Sequence, residues 1–356
     1  MTDLPQVRPA QSTAQPQAAP AANAALPKGI ASHPLVSQWV DFATPGMARL
    51  RTGRVELGQG NVTALVQIAA DELDLRMDQV AAVAGDTRLT PDEGFTSGSL
   101  SIEMGGQAVR FAASAARAVY LDRAAAVLNA PRSELSIREG AVLRRGAATS
   151  HTYWSLQASV DLDVEVARHA APKAAAERHI AGTSQPRIDL PLKVAGGGFI
   201  HDLVLEGMRH GRVLHPPSRH ARLVSADLAP LEAKLGGVTT VVNGSFVGVI
   251  ALRPGDAVDA IAEAARRCTW STGHAAPADP VEAMWWSKSP SQVTFESGDA
   301  SAATGRRFET AVSRPYLAHA SIGPSCSVAL WKDERLTVWT HSQGVFPLRQ
   351  ALAMTL

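Results

Sequence analysis

Residues 58–60, Gly-Gln-Gly, have the make-up of a turn that a ligand can approach. The two glycines reach backbone angles closed to other residues and leave the main chain open to close contact, while Gln59 adds one amide donor and one acceptor. Directly after them, apolar residues recur at Val62, Leu65, Val66, Ala69 and Leu73, the spacing of a helix buried along one face. The unpaired N–H groups of such a helix start favour an anion, phosphate for example. The same residues also read as a tight strand-to-helix turn that binds nothing. It is not a P-loop, since no Lys-Ser or Lys-Thr pair follows, and the third glycine of the dinucleotide fingerprint is missing. A second polar stretch, residues 85–101, carries hydroxyls at Thr87, Thr90, Thr96, Ser97, Ser99 and Ser101. Glycines at Gly94 and Gly98, and then at Gly105 and Gly106, allow backbone amides to turn inward on an anion. A solvated loop is the alternative reading of each single hydroxyl.

The elements that must position these groups follow from periodicity. Residues 30–145 read as one α/β unit. It has a strand running into Gly58, the helix from about 61, a strand over 79–84, the long polar loop, an alanine-lined helix over 107–128 and a small hairpin over 133–143 turning at Glu139 and Gly140. In that strand, alternation up to Gly58 points Glu56 away from the ligand side, and Asp92 and Glu93 stand in the loop without a visible partner. Residues 146–181 read as connection. A second unit, 182–272, is α+β, with strand-like runs, a hairpin about Asn243 and Gly244, and a helix over 257–267. Residues 273–313, rich in Pro, Ser and Gly around Trp285 and Trp286, read as a linker. In 314–356, strands over 326–331 and 336–340 precede a helix start near Pro347. Residues 1–29 are Ala-, Pro- and Gln-rich, too poor in large apolar side chains to offset ordering entropy, and read as a disordered arm.

Composition narrows the function classes. The 356 residues are 46% hydrophobic and 19% charged, an ordinary globular balance with room for two or three domains. A net charge of +1 argues against a dedicated nucleic-acid surface. Two cysteines, Cys268 and Cys326, stand far apart, and an iron–sulfur cluster takes four thiolates. His201, His210, His215 and His220 share no helix face, so no metal site is read there. No run is apolar and long enough to span a bilayer, and neither a secretory signal nor a twin-arginine pair opens the chain, which makes a cytoplasmic location the default, with export as a folded complex on a partner's signal as the alternative. A GxSxG elbow is also missing, which disfavours a simple hydrolase.

The ordered blocks GRVELGQG and TALVQIAADEL, then Gly85-Asp86-Thr87, the TSGS of residues 96–99 and the GGQA of 105–108, closely resemble the molybdopterin-binding large subunit of the xanthine dehydrogenase and aldehyde oxidase family. The nearest branch is that of isoquinoline 1-oxidoreductase beta subunits and nicotinate dehydrogenases. RIDLPLKVAG, FIHDLVLEGM and GRVLHPPSRHARL resemble its small hammerhead-like domain, and residues 314–356 resemble the beginning of a large cofactor-binding domain. The resemblance implies an α+β fold with an α/β cofactor-binding unit and a hammerhead-like domain. It also implies a molybdenum–pterin cofactor, in the cytosine dinucleotide form, that oxidises an N-heterocycle or aldehyde with water as oxygen source. Gly58, Gln59, Gly60, Thr63, Ser97, Ser99, Gly105 and Gln343 would hold the cofactor, and His319 and Ser321 would border the substrate funnel. The family's general-base glutamate lies in a C-terminal Gly-Glu element that does not occur here. The resemblance therefore implies no catalytic residue in this chain, a complementary C-terminal half as partner, and an iron–sulfur subunit or a cytochrome to take the electrons. By itself the chain would be inactive. A scaffold or remnant that keeps the fold and binds no cofactor is the alternative.

Overall fold

The computed structural model describes residues 26–272 and 325–356, together with 292–298, 304–306, 308–310, 312, 314, 317–321 and 323. The arm read over 1–29 is therefore described only from Leu26 on, and Trp285 and Trp286 lie outside the described residues. Two compact units emerge, one of residues 1–202 with 325–356 and one of 203–324, so the division falls after Asp202 rather than at Gly182.

The first unit opens with a helical turn, α1 (Lys28–Ser32), and an antiparallel pair, β1 (Val40–Thr44) and β2 (Met47–Thr52), joined through Gly46 at φ 77°. β2 alternates, with Ala48, Leu50 and Thr52 inward, and lies parallel to β3 (Val80–Ala84). A parallel pair needs a crossover, and α2 (Asn61–Leu73) supplies it. The stripe expected from spacing is the buried one: Leu65, Val66, Ala69 and Leu73 are fully inside. Each buried Leu or Val contributes about 1.5–3 kcal/mol. α3 (Gln107–Leu128) packs on α2, and the small side chains of Ala108, Ala112, Ala115 and Ala116 keep that face close. It ends at Asn129 in the left-handed region, φ 45°.

A meander follows, β4 (Leu135–Arg138), β5 (Ala141–Arg144) and β6 (Ala147–Thr152), with Glu139 and Gly140 at φ 51° and 81° forming the first turn. α4 (Tyr153–Leu156) carries Tyr153 into a cluster with Phe42 and Tyr120, ring centroids 4.4–4.8 Å apart. After α5 (Val166–His169) the chain turns along α2 and forms a strap. Lys173 donates to the Asp71 carbonyl at 2.5 Å and to the Asp74 carboxylate, and its own N–H meets Glu72 at 3.0 Å. Asp71 accepts from the His179 and Ala181 amides, both at 2.9 Å. Gln67 donates to the Ile180 and Thr183 carbonyls, and the Ile188 amide donates to Thr63 Oγ1 at 3.2 Å. Residues 146–181, read as connection, are thus strand, helical turns and strap. Polar anchors hold much of that order, and hydrophobic periodicity does not register them. α6 (Leu190–Val194) completes this part.

Among its described residues the second unit has two antiparallel sheets. β7 (His210–Leu214) and β9 (Thr239–Asn243) flank β10 (Phe246–Ala251), while β8 (Leu223–Ala226) pairs with β11 (Cys268–Trp270). α7 (Ala229–Lys234) and α8 (Pro254–Arg266) close its core of Leu231, Val247, Val249, Ala257 and Ala260. Back in the first unit, β12 (Ser327–Lys332) and β13 (Arg335–Thr340) form a hairpin through Asp333 and Glu334, φ 51° and 57°. α9 (Val345–Thr355) follows.

Among the described residues no helix is long and apolar enough to cross a membrane.

Candidate functional site

β2 stops at Thr52, not at Gly58. A Cβ on Gly53 would overlap the Pro91 carbonyl oxygen, and the Val55 N–H donates to Thr96 Oγ1 at 2.9 Å instead of to a ladder partner. The loop that follows β3 has taken the edge a longer strand would need. Residues 53–60 are therefore an irregular connection, and strand alternation does not govern Glu56.

Glu56 turns back into the head of α2. Its Oε1 accepts from the Gly58 and Gly60 amides, both at 2.8 Å, and its Oε2 from the Val62 amide at 3.3 Å. The expectation that Glu56 faces away is overturned. The helix-start amides assigned to an external phosphate already hold a carboxylate, as the positive end of a helix favours. Gly58 and Gly60, at φ 106° and 76°, permit this fold-back. Gln59 also engages its own turn, accepting from the Leu57 amide at 2.6 Å and donating to the Val55 carbonyl at 3.3 Å. Arg187 braces the other side. It donates to the Gly58 carbonyl at 2.7 Å, stands 3.7 Å from the Glu56 carboxylate and grips Asp189 with two hydrogen bonds of 3.0 and 2.6 Å. Those bonds, with help from Lys193, hold the Asp189 carboxyl far below the usual carboxylate range. Thr63 is buried beneath the strap. Next to the turn, Asn61 is 5% exposed, and its Oδ1 has no hydrogen-bond partner among the described residues.

The loop over 85–100 is pinned from below. Glu93, whose side chain is 2% exposed, accepts from the Thr52 hydroxyl at 2.6 Å, the Gly53 amide at 2.8 Å and Arg54 Nε at 3.3 Å. Arg54 reaches on to the Phe95 carbonyl at 2.6 Å. Glu93 therefore has the partners that the sequence did not reveal. Held by this network, Ser97 and Ser99 stand exposed at the loop tip, with Gly94, Gly98 and Ser99 at positive φ. A π-helical turn, Ser101–Gly106, leads into α3. Gly105 is buried at its base, where a Cβ would crowd Glu93 Oε1 at 2.9 Å and Arg54 Nε at 3.2 Å, so its place is structural closeness to that pair.

Gln343 joins the same region through its backbone, since its carbonyl accepts from the Thr96 amide at 2.6 Å. Its neighbour Gly344 leaves no room for a Cβ beside the Phe95 ring, and Arg349 donates to the Thr87 carbonyl at 3.0 Å. Between the hairpin, α9 and residues 84–88 runs a mainly apolar groove of about 720 Å³ lined by Trp331, Leu336, Val338, Val345 and Leu352. The structure thus brings Gly58, Gln59, Gly60, Ser97, Ser99, Gly105 and Gln343 onto three adjoining segments. His319 and Ser321 lie on exposed chain of the other unit, outside any helix or strand.

Sequence reasoning missed Glu56, Arg187 and the Arg54–Glu93 pair. An acid two residues before a glycine helix start was a usable signal for the first. Nothing local announces Arg187, whose partner in the turn is 129 residues away. Among the described residues no group of three or more His, Cys, Asp or Glu is placed to hold a metal ion.

Residues 18–186 match the family described as molybdopterin cofactor-binding domain. A nicotinate dehydrogenase component of Pseudomonas putida is 33% identical over 333 residues, covering 89% of this chain and 28% of that protein. The beta component of isoquinoline 1-oxidoreductase from Brevundimonas diminuta is 34% identical over 131 residues, 35% of this chain and 17% of that one. The crystal structure of quinoline 2-oxidoreductase from Pseudomonas putida 86 aligns over 36% of this chain and 15% of that chain, with 27% identity and a TM-score of 0.26. The chain spans less than a third of the length of these curated relatives. On the matches to the cofactor-binding domain and to these two oxidoreductase components, the chain belongs to the xanthine dehydrogenase and aldehyde oxidase family of molybdopterin-binding large subunits.

Proposed function

We propose that this chain is part of the large subunit of a molybdenum hydroxylase that oxidises an N-heterocycle or an aldehyde with water as the oxygen source. The observation that carries the reading is that the connection leading to the 58–60 turn, the hydroxyl-bearing loop and the 343–344 segment are joined through Thr96, whose Oγ1 accepts from the Val55 amide and whose amide donates to the Gln343 carbonyl, while beside the turn the buried Asn61 Oδ1 has no donor among the described residues. A buried acceptor left unpaired costs about 1–3 kcal/mol. A pterin ring edge carries N–H groups of the kind that would satisfy it. Space also fits: a Cβ on Gly58, or on Gly94 in the loop, would meet nothing within 4 Å. Gly58, Gln59 and Gly60 would offer the turn's outer side, Ser97 and Ser99 their hydroxyls, and Gln343 its side chain. Thr63 and Gly105, buried, would support from behind.

When bound, the molybdenum–pterin group supplies the oxygen-transfer and electron-accepting chemistry. This chain's own residues bind and orient. Neither Glu56 nor Glu93 is placed as a base, because Glu56 is spent on three amides and Glu93 is enclosed with Arg54. The base belongs to a complementary C-terminal half, and an iron–sulfur subunit or a cytochrome would take the electrons. The cytosine dinucleotide form of the cofactor, a hammerhead-like role for residues 182–272 and a cytoplasmic location complete the proposal. The names of the relatives, a nicotinate and an isoquinoline enzyme, support the heterocycle class. One observation favours a second reading, a scaffold that binds no cofactor: the carboxylate of Glu56 fills the amide nest of the turn.

The test is molybdenum and pterin content of the purified chain, alone and co-expressed with the complementary half, by elemental analysis and pterin fluorescence after oxidation. Near-stoichiometric molybdenum and pterin on co-expression is the expected result. A folded complex with neither would overturn the cofactor reading in favour of the scaffold.

A further inference from the structure

We infer that Glu56 and Arg187 are positioning residues of the Gly58–Gln59–Gly60 turn: Glu56 is the resident anion of the amide nest at the head of α2, and the turn meets its ligand only from its outer side. Three N–H groups converge on this one carboxylate, at 2.8, 2.8 and 3.3 Å. Such charge-assisted bonds are roughly twice as strong as neutral ones, so an external phosphate would have to displace a partner already tethered in place. Arg187 closes the far side. Its guanidinium binds the Gly58 carbonyl and faces Glu56, its aliphatic stem lies against Gly60, and Asp189 fixes its orientation. On the outer side Leu57, Gly58 and Gln59 are exposed.

The consequence is a division of labour. The turn contributes shape and neutral hydrogen-bonding groups, and any phosphates of the ligand must be held by other residues. This deepens the cofactor reading and, for the ligand-facing side, rests on it. The occupancy of the nest does not.

The experiment uses the full chain labelled with ¹⁵N-glycine, following the Gly58 and Gly60 amide resonances while sodium formate or inorganic phosphate is added, with sodium chloride as control. In the wild-type chain both resonances are expected to sit downfield and ignore either anion. Glu56→Gln keeps a neutral acceptor and should move both upfield, without creating an anion response. Glu56→Ala empties the nest, so formate should return the resonances downfield in a saturable way and raise the thermal midpoint, which chloride at equal ionic strength does not do. Arg187→Gln should weaken the formate effect in the Glu56→Ala background. A wild-type chain whose Gly58 and Gly60 resonances titrate with phosphate would overturn the inference. So would a Glu56→Gln chain with unshifted resonances, a readout available even where the alanine variant does not fold. Pterin content, measured separately, reports on the cofactor reading, so the two failures are distinguishable.

Discussion

Removing Glu93 tests how the hydroxyl-bearing loop is held. Its carboxylate and the Arg54 guanidinium are 2% and 5% exposed, and the same carboxylate takes the Thr52 hydroxyl and the Gly53 amide. Glu93→Ala leaves a buried cation without its counter-charge, a change that costs about 3–5 kcal/mol. Glu93→Gln keeps the shape and one acceptor oxygen for the Thr52 hydroxyl and the Gly53 amide, but its NH2 cannot accept from Arg54, so that charge-assisted bond is lost, about 1.5–3 kcal/mol. Replacing both charges, Arg54→Met with Glu93→Leu, removes the stranded cation but still orphans the Gly53 amide, at about 1–3 kcal/mol. The double variant should therefore be more stable than Glu93→Ala alone. Urea unfolding read by hydrogen exchange of peptides spanning residues 47–56 and 90–100 isolates this unit from the other. Glu93→Ala within about 1 kcal/mol of wild type, or a double variant less stable than the single one, would refute the argument.

Burial raises the Glu72 carboxyl above its ordinary value of 4.5 despite the Lys173 amide and the Arg110 guanidinium at 2.7 Å. A raised carboxyl pKa stabilises the folded chain at low pH and loses that contribution as pH climbs from about 4.5 through the folded value, so Glu72→Gln should gain stability relative to wild type across that window in pH-resolved thermal unfolding. Gly53→Ala meets backbone at Pro91 and should cost at least about 3 kcal/mol, whereas Gly58→Ala meets open space and should cost only the strain of its positive φ, about 1–2 kcal/mol, both by urea midpoint. Ser99, at φ 60°, should be stabilised by about 1 kcal/mol on change to glycine. Ser97→Ala should leave the unfolding midpoint within about 0.5 kcal/mol of wild type while lowering pterin retention in the assembled protein, measured as fluorescence after gel filtration.

What the sequence made legible was apolar and local. The stripe of Leu65, Val66, Ala69 and Leu73, the alanine face of 107–128 and the Glu139-Gly140 turn each follow from spacing within a dozen or so residues. What stayed hidden was polar and distant. The strand was read through to Gly58 because nothing in GRVELG reveals that Pro91 and Thr96 occupy its edge. Residues 146–181 passed for connection because Asp71, Glu72 and Lys173 look like surface charges until their partners are known. At the candidate site, the glycines and serines were visible as types, but Gln343 reaches Thr96 by its carbonyl, a group every residue carries.

The strap along α2 has a bearing on how the chain is made. Apart from Arg110, which meets Glu72 38 residues on, the donors to the acids at the end of this helix come only 101 to 110 residues later, at Lys173, His179 and Ala181. With synthesis at about 5–20 residues per second, the helix waits on the order of 5–20 s on the ribosome before those donors emerge. Throughout that time Asp71 lacks the His179 and Ala181 amides, and Glu72 has Arg110 but not the Lys173 amide. The candidate turn at the opposite end, which needs Arg187, is completed later still. A cut between residues 129 and 173 would thus release a nascent chain that has α2 and α3 but neither the strap nor Arg187, the brace of the 58–60 turn.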